Sequence, residues 1–222
     1  GSKGKLKEIR YLKAKFNFRL FVDDAHGFGT LGETGAGAGE EQGIQEEIDV
    51  YFSTFAKSMA SIGAFVSSDE QVVEFLRYNM RSQIFAKSMP YPLVVGALKR
   101  LELLRRDRTL KDALWRNVNK LQNGLRERGF NLGTTNSAVT PVFLSGSIPE
   151  AVNLTIDLRE NYNIFSSIVM YPVVPKGVIM LRLIPTAVHT DEDIDATLKA
   201  FSDVSEKLKS KQYEKDDLAV AS

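Results

Sequence analysis

Two short apolar runs in this chain each end in residues that can carry chemistry, and this arrangement constrains the fold more than any other feature. Residues 18–22 are typical of a buried strand that ends at Asp23, with His26 shortly after it. Residues 48–52 form a second such run, and Lys57 follows it. Because open α/β sheets bind ligands at the carboxyl ends of their strands, these side chains are candidates for a binding site.

The residue types at the two strand ends are those that pyridoxal phosphate chemistry requires. A carboxylate such as that of Asp23 can keep the pyridine nitrogen protonated, and the amine of Lys57 can form a Schiff base. The segment 53–58 is rich in hydroxyls, which suit a phosphate group. The alternative interpretation is that Asp23 caps a turn, that His26 satisfies a loop carbonyl and that Lys57 is simply solvated.

Composition and charge exclude several other classes of protein. The 222 residues are 43% hydrophobic and 26% charged, as in ordinary globular domains. With 29 basic and 28 acidic side chains, the net charge of +1 argues against nucleic acid as a partner. No apolar run approaches the ~20 residues of a transmembrane helix, and we expect no signal peptide. The sequence has no cysteine and two histidines, so we expect no metal site and a cytoplasmic location.

The hydrophobic pattern predicts an α/β part followed by a smaller α+β part. Three strands, over residues 18–22, 48–52 and 63–67, precede a long helix that stops at Gly129. We therefore predict domains over residues 3–128 and 129–208, with a frayed tail over 209–222. The other predicted helices cover residues 5–16, 69–80, 90–104, 149–161 and the chain from Thr190. Asp69 is the expected N-cap of the second of these, and Thr190 with Asp193 resembles a capping box. The other strands cover 138–144, 167–171 and 178–184.

Several motifs, in the right order, resemble those of one family. Residues 22–32, Val-Asp-Asp-Ala-His-Gly-Phe-Gly-Thr-Leu-Gly, closely resemble the signature of the α-oxoamine synthases, a fold-type I pyridoxal phosphate family. Residues 53–57 match the family segment that ends in the Schiff-base lysine, although serine replaces its usual glycine. Residues 85–90 resemble its F-x-x-S-x-P segment. The elements P-x-x-P-x-G, arginine and A-x-H-T are matched by residues 172–177, Arg182 and 187–190.

The resemblance implies a role for each of five residues. Asp23 would pair with the pyridine nitrogen of the cofactor, and His26 would hydrogen-bond its phenolic oxygen. Thr54 would contact the phosphate, while Lys57 would form the Schiff base and move protons. Arg182 would bind the amino-acid carboxylate through a bidentate pair. The alternative for Arg182 is an inward-facing strand arginine in a structural ion pair.

The resemblance also implies a fold and an activity. We expect part of the large domain of a pyridoxal phosphate-dependent transferase, with a mostly parallel sheet, followed by a small α+β carboxyl-terminal domain. The family condenses an amino acid with an acyl-CoA and releases carbon dioxide, and its members are homodimers. We expect a serine palmitoyltransferase of sphingolipid synthesis. The alternatives are a glycine C-acetyltransferase or an 8-amino-7-oxononanoate synthase, because acyl-chain specificity is expected largely in loops or in regions that this sequence does not include. A non-catalytic fragment is a further alternative, because the resemblance begins in the middle of the family's chains.

Overall fold

Residues 1–215 are described by the structure, a computed structural model, and they contain two separate three-stranded sheets. Each sheet belongs to its own compact unit. The amino-terminal unit comprises residues 4–111, and the carboxyl-terminal unit comprises residues 1–3 together with the described residues 112–215. Helices and strands are interspersed along both units, and the predicted α/β fold class is thereby confirmed.

The sheet of the amino-terminal unit has the strand order β1-β2-β3. Strands β1 (Phe21–Asp23) and β2 (Val50–Thr54) pair in parallel, whereas β2 and β3 (Ala64–Ser68) pair antiparallel. The crossover between β1 and β2 is long enough for a parallel connection. Residues 55–63 are fewer than the dozen or so that such a crossover requires, so β3 must turn back. Lys57 therefore lies in a hairpin loop.

The three predicted helices of this unit are present, two short helices that were not predicted accompany them, and much apolar surface is exposed. Phe75 on α3 is 63% exposed, and Phe21 on the sheet is 59% exposed. The helices are α1 (Leu6–Lys13), the short α2 (Ala38–Gln42), α3 (Glu70–Asn79), α4 (Arg81–Phe85) and α5 (Tyr91–Arg106). Asp69 occupies the predicted N-cap position of α3, but its side chain makes no capping hydrogen bond there.

The carboxyl-terminal unit packs helices against an antiparallel sheet of order β4-β6-β5. Its core includes Leu125, Val142 and Phe201, which are fully buried. The predicted capping box at the start of α8 is present, since Thr190 and Asp193 exchange side-chain and backbone hydrogen bonds. The elements are α6 (Thr109–Glu127), β4 (Thr140–Leu144), α7 (Ile148–Tyr162), β5 (Ser167–Val169), β6 (Ile179–Leu183), α8 (Asp191–Lys209) and α9 (Gln212–Lys215).

The structure departs from the predicted domain limits at two places. The units divide between Lys111 and Asp112 rather than after residue 128, because α6 buries Leu121 and Leu125 in the core of the carboxyl-terminal sheet. The predicted frayed tail over 209–222 is wrong for the residues up to 215, which the structure describes. That stretch contains α9, whose Tyr213 is only 2% exposed. Residues 216–222 lie outside the described part of the chain.

Candidate active site

The turn after β1 carries two of the predicted site residues. Strand alternation places Val22 and Asp24 on the buried side and leaves Asp23 exposed. Asp23 Oδ1 accepts a hydrogen bond from the backbone N–H of Ala25 at 3.0 Å. The exposed His26 follows within the same turn, so both side chains lie at the carboxyl end of β1.

The end of β2 and the loop that follows it carry two more of the predicted residues, Thr54 and Lys57. The Thr54 hydroxyl donates to the carbonyl of Gly63 at 3.1 Å and accepts from the N–H of Ala56 at 3.1 Å. The N–H of Ala60 donates to the Lys57 carbonyl at 3.0 Å, which closes the turn around the lysine. The Lys57 side chain is exposed. The hydroxyl of Thr54 therefore fixes the base of the loop that presents the lysine.

These two loops approach each other closely. A Cβ atom placed on Gly29 would come within 2.7 Å of Ser58 Oγ, so only glycine allows the contact without displacing Ser58. Below the loops, the rings of Phe28 and Phe55 pack on Phe65 of β3, with centroids 5.2 and 5.5 Å apart. The structure thus brings Asp23, His26, Thr54 and Lys57 to one edge of the sheet.

A buried carboxylate directly behind the turn has no role in the sequence prediction. Asp24 is 6% exposed, and its Oδ2 accepts from the N–H of Ala38 at 2.7 Å and from the Tyr51 hydroxyl at 3.0 Å. Burial raises the pKa of Asp24, and the neighbouring carboxylates of Asp23 and Glu41 act in the same direction, whereas its two hydrogen bonds oppose the shift. The signal available in the sequence is that Asp24 shares the inward face of the strand with Val22.

Glu40 holds the glycine-rich loop that follows this turn. Its carboxylate accepts hydrogen bonds from the N–H groups of Thr34 and Ala36, each at 3.0 Å. Burial acts to raise the pKa of Glu40, but these hydrogen bonds outweigh it and the net shift is downward. The carbonyls of Gly32 and Glu33 both accept from the Lys111 ammonium. Side chains of the same unit therefore order the loop.

Arg182 belongs to the carboxyl-terminal unit. It lies on β6, where it pairs in register with Pro141 and Ser167, and its Nε donates to Ser167 Oγ at 3.3 Å. The side chain is exposed rather than directed into the core, which differs from the structural alternative of an inward-facing arginine. Its role toward a substrate carboxylate stays a prediction.

The A-x-H-T motif forms a turn in the same unit. His189 Nδ1 accepts from the N–H of Thr186 at 3.0 Å. The fully buried Asn117 of α6 donates to the carbonyls of Thr186 and His189, at 3.0 and 2.7 Å. These contacts give His189 a structural role. Asn117 is a residue that the sequence prediction missed, because a lone asparagine in a helix carries no signal of a partner so distant along the chain.

The described residues 1–215 were also compared with the requirements of a metal site and of a membrane-spanning helix. They contain no cluster of three or more histidine, cysteine or acidic side chains with the geometry of a metal site. Within the same range, no helix combines the length and apolarity needed to cross a membrane.

Comparison with known proteins identifies the family of this chain. Residues 2–201 match the model of the family described as aminotransferase class I and II. The chain belongs to this family. The similar proteins include a cysteate-C-fatty acyltransferase of Capnocytophaga ochracea, which is 65% identical over 96% of this chain and 51% of the relative. A serine palmitoyltransferase of Sphingobacterium spiritivorum is 34% identical over 87% of this chain and 48% of the relative.

A solved structure supports the same assignment. The serine palmitoyltransferase of Sphingomonas wittichii superposes with a TM-score of 0.88 at 31% identity, covering 95% of this chain and 53% of that chain. The resemblance to α-oxoamine synthases is thereby confirmed. This member of the aminotransferase class I and II family spans about half the length of the curated relatives it matches.

Proposed function

We propose that this chain contributes the lysine-bearing half of a pyridoxal phosphate site in an enzyme that condenses an amino acid with a fatty acyl thioester. In this reaction the α-carbon bonds to the acyl carbonyl carbon, the thiol leaves, and the amino-acid carboxylate is lost as carbon dioxide. The observation that carries the proposal is the meeting of the Asp23–His26 turn with the Lys57 loop at the ends of two parallel strands.

The chemistry of the donor set fits the cofactor. One edge of the sheet offers a carboxylate at Asp23, an imidazole at His26, a primary amine at Lys57 and a hydroxyl at Thr54. When bound, pyridoxal phosphate supplies an electron sink that stabilises negative charge on the amino-acid α-carbon. The Thr54 hydroxyl already donates to Gly63, so its contact with a phosphate requires that hydrogen to turn away from the loop.

The protein residues would divide the work as follows. Asp23 would hold the protonated pyridine nitrogen, and His26 would donate to the phenolic oxygen. Lys57 Nζ would hold the cofactor aldehyde carbon and later take the α-proton of the amino acid. Arg182 would orient the substrate carboxylate through two parallel N–H donors.

The amino acid is the finer part of the proposal, and cysteate is favoured over serine. The identity of 65% to a cysteate-C-fatty acyltransferase is nearly twice the 34% to a serine palmitoyltransferase. Serine, and with it a place in sphingolipid synthesis, stays as the second candidate because of the structural similarity to a serine palmitoyltransferase. Acyl-CoA as the donor, a homodimer and a cytoplasmic location stay predictions from the family resemblance and the composition.

The first test is a visible absorption spectrum of the purified chain after incubation with pyridoxal phosphate and gel filtration. We expect a retained band that disappears in Lys57→Ala. Lys99→Ala is the matched control, because Lys99 is an exposed lysine that pairs with Glu102 on α5. A wild-type chain without a band, or a band that survives Lys57→Ala, overturns the proposal for this chain.

The second test separates the two amino acids. Release of carbon dioxide and free thiol is measured with palmitoyl-CoA and either L-cysteate or L-serine. A higher kcat/KM for cysteate supports the favoured substrate, whereas a higher value for serine restores the second candidate.

A further inference from the structure

We infer that Asp24 and Tyr51 are positioning residues, a buried pair that sets the pose in which Asp23 and His26 face the lysine loop. The inference rests on the proposed function for what that pose serves. Neither residue contacts the proposed cofactor position: both side chains lie on the inward face of the sheet, and Asp24 and Tyr51 are 6% and 7% exposed.

Every polar group of Asp24 fixes a different part of the turn. Its N–H donates to the Phe52 carbonyl at 2.9 Å, which extends the pairing of β1 with β2 by one residue. Its carbonyl accepts from the N–H groups of Gly27 and Phe28, both at 3.0 Å, and these bonds close the turn around His26. Its carboxylate reaches Ala38, at the far end of the glycine-rich loop. One residue thus ties the start, the turn and the end of the loop together.

Tyr51 connects this anchor to β2. Its hydroxyl lies 3.0 Å from Asp24 Oδ2 and 3.2 Å from the Ala36 carbonyl, so its proton serves the carboxylate or the loop backbone. Strand register pairs Tyr51 with Val22, the residue before Asp23, and both side chains are buried on the inward face of the sheet. A shift of this ring would therefore be transmitted to the strand end that carries the proposed pyridine partner.

Two glycines show how closely the loop backbone packs on the carboxylate. A Cβ atom on Gly27 would overlap Asp24 Oδ1, and one on Gly37 would overlap Oδ2. Gly37 also has a φ of +108°, a conformation that side-chain-bearing residues rarely adopt. Both ends of the loop thus pack directly against the Asp24 carboxylate, as expected if this side chain holds the loop in place.

The surroundings of Asp24 predict which substitutions preserve the anchor. The carboxylate faces the Tyr51 hydroxyl and the Ala38 N–H, and the charged groups that influence it are the carboxylates of Asp23 and Glu41. Since an amide oxygen can accept both hydrogen bonds, Asp24→Asn should retain the loop. Asp24→Leu leaves the buried N–H of Ala38 without its acceptor and leaves the Tyr51 hydroxyl only the Ala36 carbonyl, whereas Tyr51→Phe removes one donor.

The experiment measures amide hydrogen exchange and pyridoxal phosphate affinity in the full chain. In Asp24→Leu we expect exchange at Gly27, Phe28 and Ala38 to rise about tenfold or more, and the affinity read from the Lys57-dependent band to fall by a similar factor. Asp24→Asn should recover most of both. Tyr51→Phe should show a smaller change of the same kind, with Tyr78→Phe, an exposed tyrosine, as control.

Each outcome decides a separate point. Unchanged exchange in both Asp24→Leu and Tyr51→Phe overturns the anchor, and Tyr51→Phe alone decides if the leucine variant fails to fold. Faster exchange with an unchanged affinity overturns the positioning role and leaves only a structural one. A wild-type chain without a band contradicts the proposed function instead, and the exchange rates then judge the anchor independently.

Discussion

In two buried aspartate–tyrosine pairs of this molecule, the pKa of the aspartate is shifted in opposite directions. In the amino-terminal unit, Asp24 accepts from Tyr51 and a backbone N–H, and burial raises its pKa. In the carboxyl-terminal unit, Asp157 accepts from the Tyr213 hydroxyl at 2.6 Å and the Lys207 ammonium at 2.8 Å.

Asp157 also receives a hydrogen bond from the Asn161 side chain at 2.6 Å. Burial acts to raise its pKa, but the bonds from Lys207, Tyr213 and Asn161 outweigh it and hold the pKa below its usual value. Asp157, whose burial is fully compensated by hydrogen bonds, holds α9, whereas Asp24, whose burial is incompletely compensated, shapes the loop of the candidate site. The free-energy cost of burying the Asp24 carboxylate is thus tolerated because the geometry of the glycine-rich loop depends on that side chain.

The largest effect is expected at the compensated pair. Asp157→Ala leaves the Lys207 ammonium and the Tyr213 hydroxyl without their acceptor and should lower the free energy of unfolding by about 3 kcal/mol. Urea denaturation followed by circular dichroism measures it, and Asp203→Ala, at an exposed position of α8, is the control. A loss no greater than that of the control would show that α9 is not fastened through Asp157.

The two tyrosine hydroxyls should differ by a smaller amount. Tyr213→Phe removes a hydrogen bond to an ionised carboxylate and should cost about 2 kcal/mol of unfolding free energy. Tyr51→Phe should cost about 1 kcal/mol, because its acceptor is a carboxylate that burial biases toward the neutral form. The same denaturation series compares them, and an equal loss at both sites would remove the distinction between the pairs.

The smallest effect is a pH dependence of opposite sign at the two acids. Since the folded pKa of Asp157 is lowered, its stabilisation is present above the unfolded pKa of about 4 and is lost as pH falls through the folded value. Since the folded pKa of Asp24 is raised, its contribution is present below that unfolded pKa and is lost as pH rises through the folded value.

Stability measured from pH 3 to 7 tests both signs. The advantage of wild type over Asp157→Asn should grow as pH rises, and that over Asp24→Asn should shrink. Parallel curves for the two variants would contradict the assignment.

Sequence patterns predict the helices and strands of this fold better than the contacts between residues that are distant along the chain. Alternating apolar runs identify β1 and β2, and the capping residues identify the start of α8, because these signals are local. Four of the five proposed site residues are brought together because strand ends and motif spacing fix their positions along the chain.

The remaining features depend on contacts between distant residues. Tyr213 stands among charged residues that are typical of a solvated tail, and only its contact with Asp157, 56 positions earlier, makes α9 part of the core. Likewise, Asp24 resembles a second surface acid next to Asp23 until Tyr51 and Ala38 are brought to it. No periodicity in a single segment records such pairs.

The hairpin that contains Lys57 has a consequence for the order of folding. Thr54 pairs with Ala64 across a short loop, whereas Asp23 pairs with Phe52 only after a long crossover has closed. Because the entropy cost of closure rises with loop length, β2 and β3 should join first, and pulse-labelled exchange should protect their amides before that of Asp24. The nascent chain would then form its reactive lysine loop early and acquire the acid that faces it last.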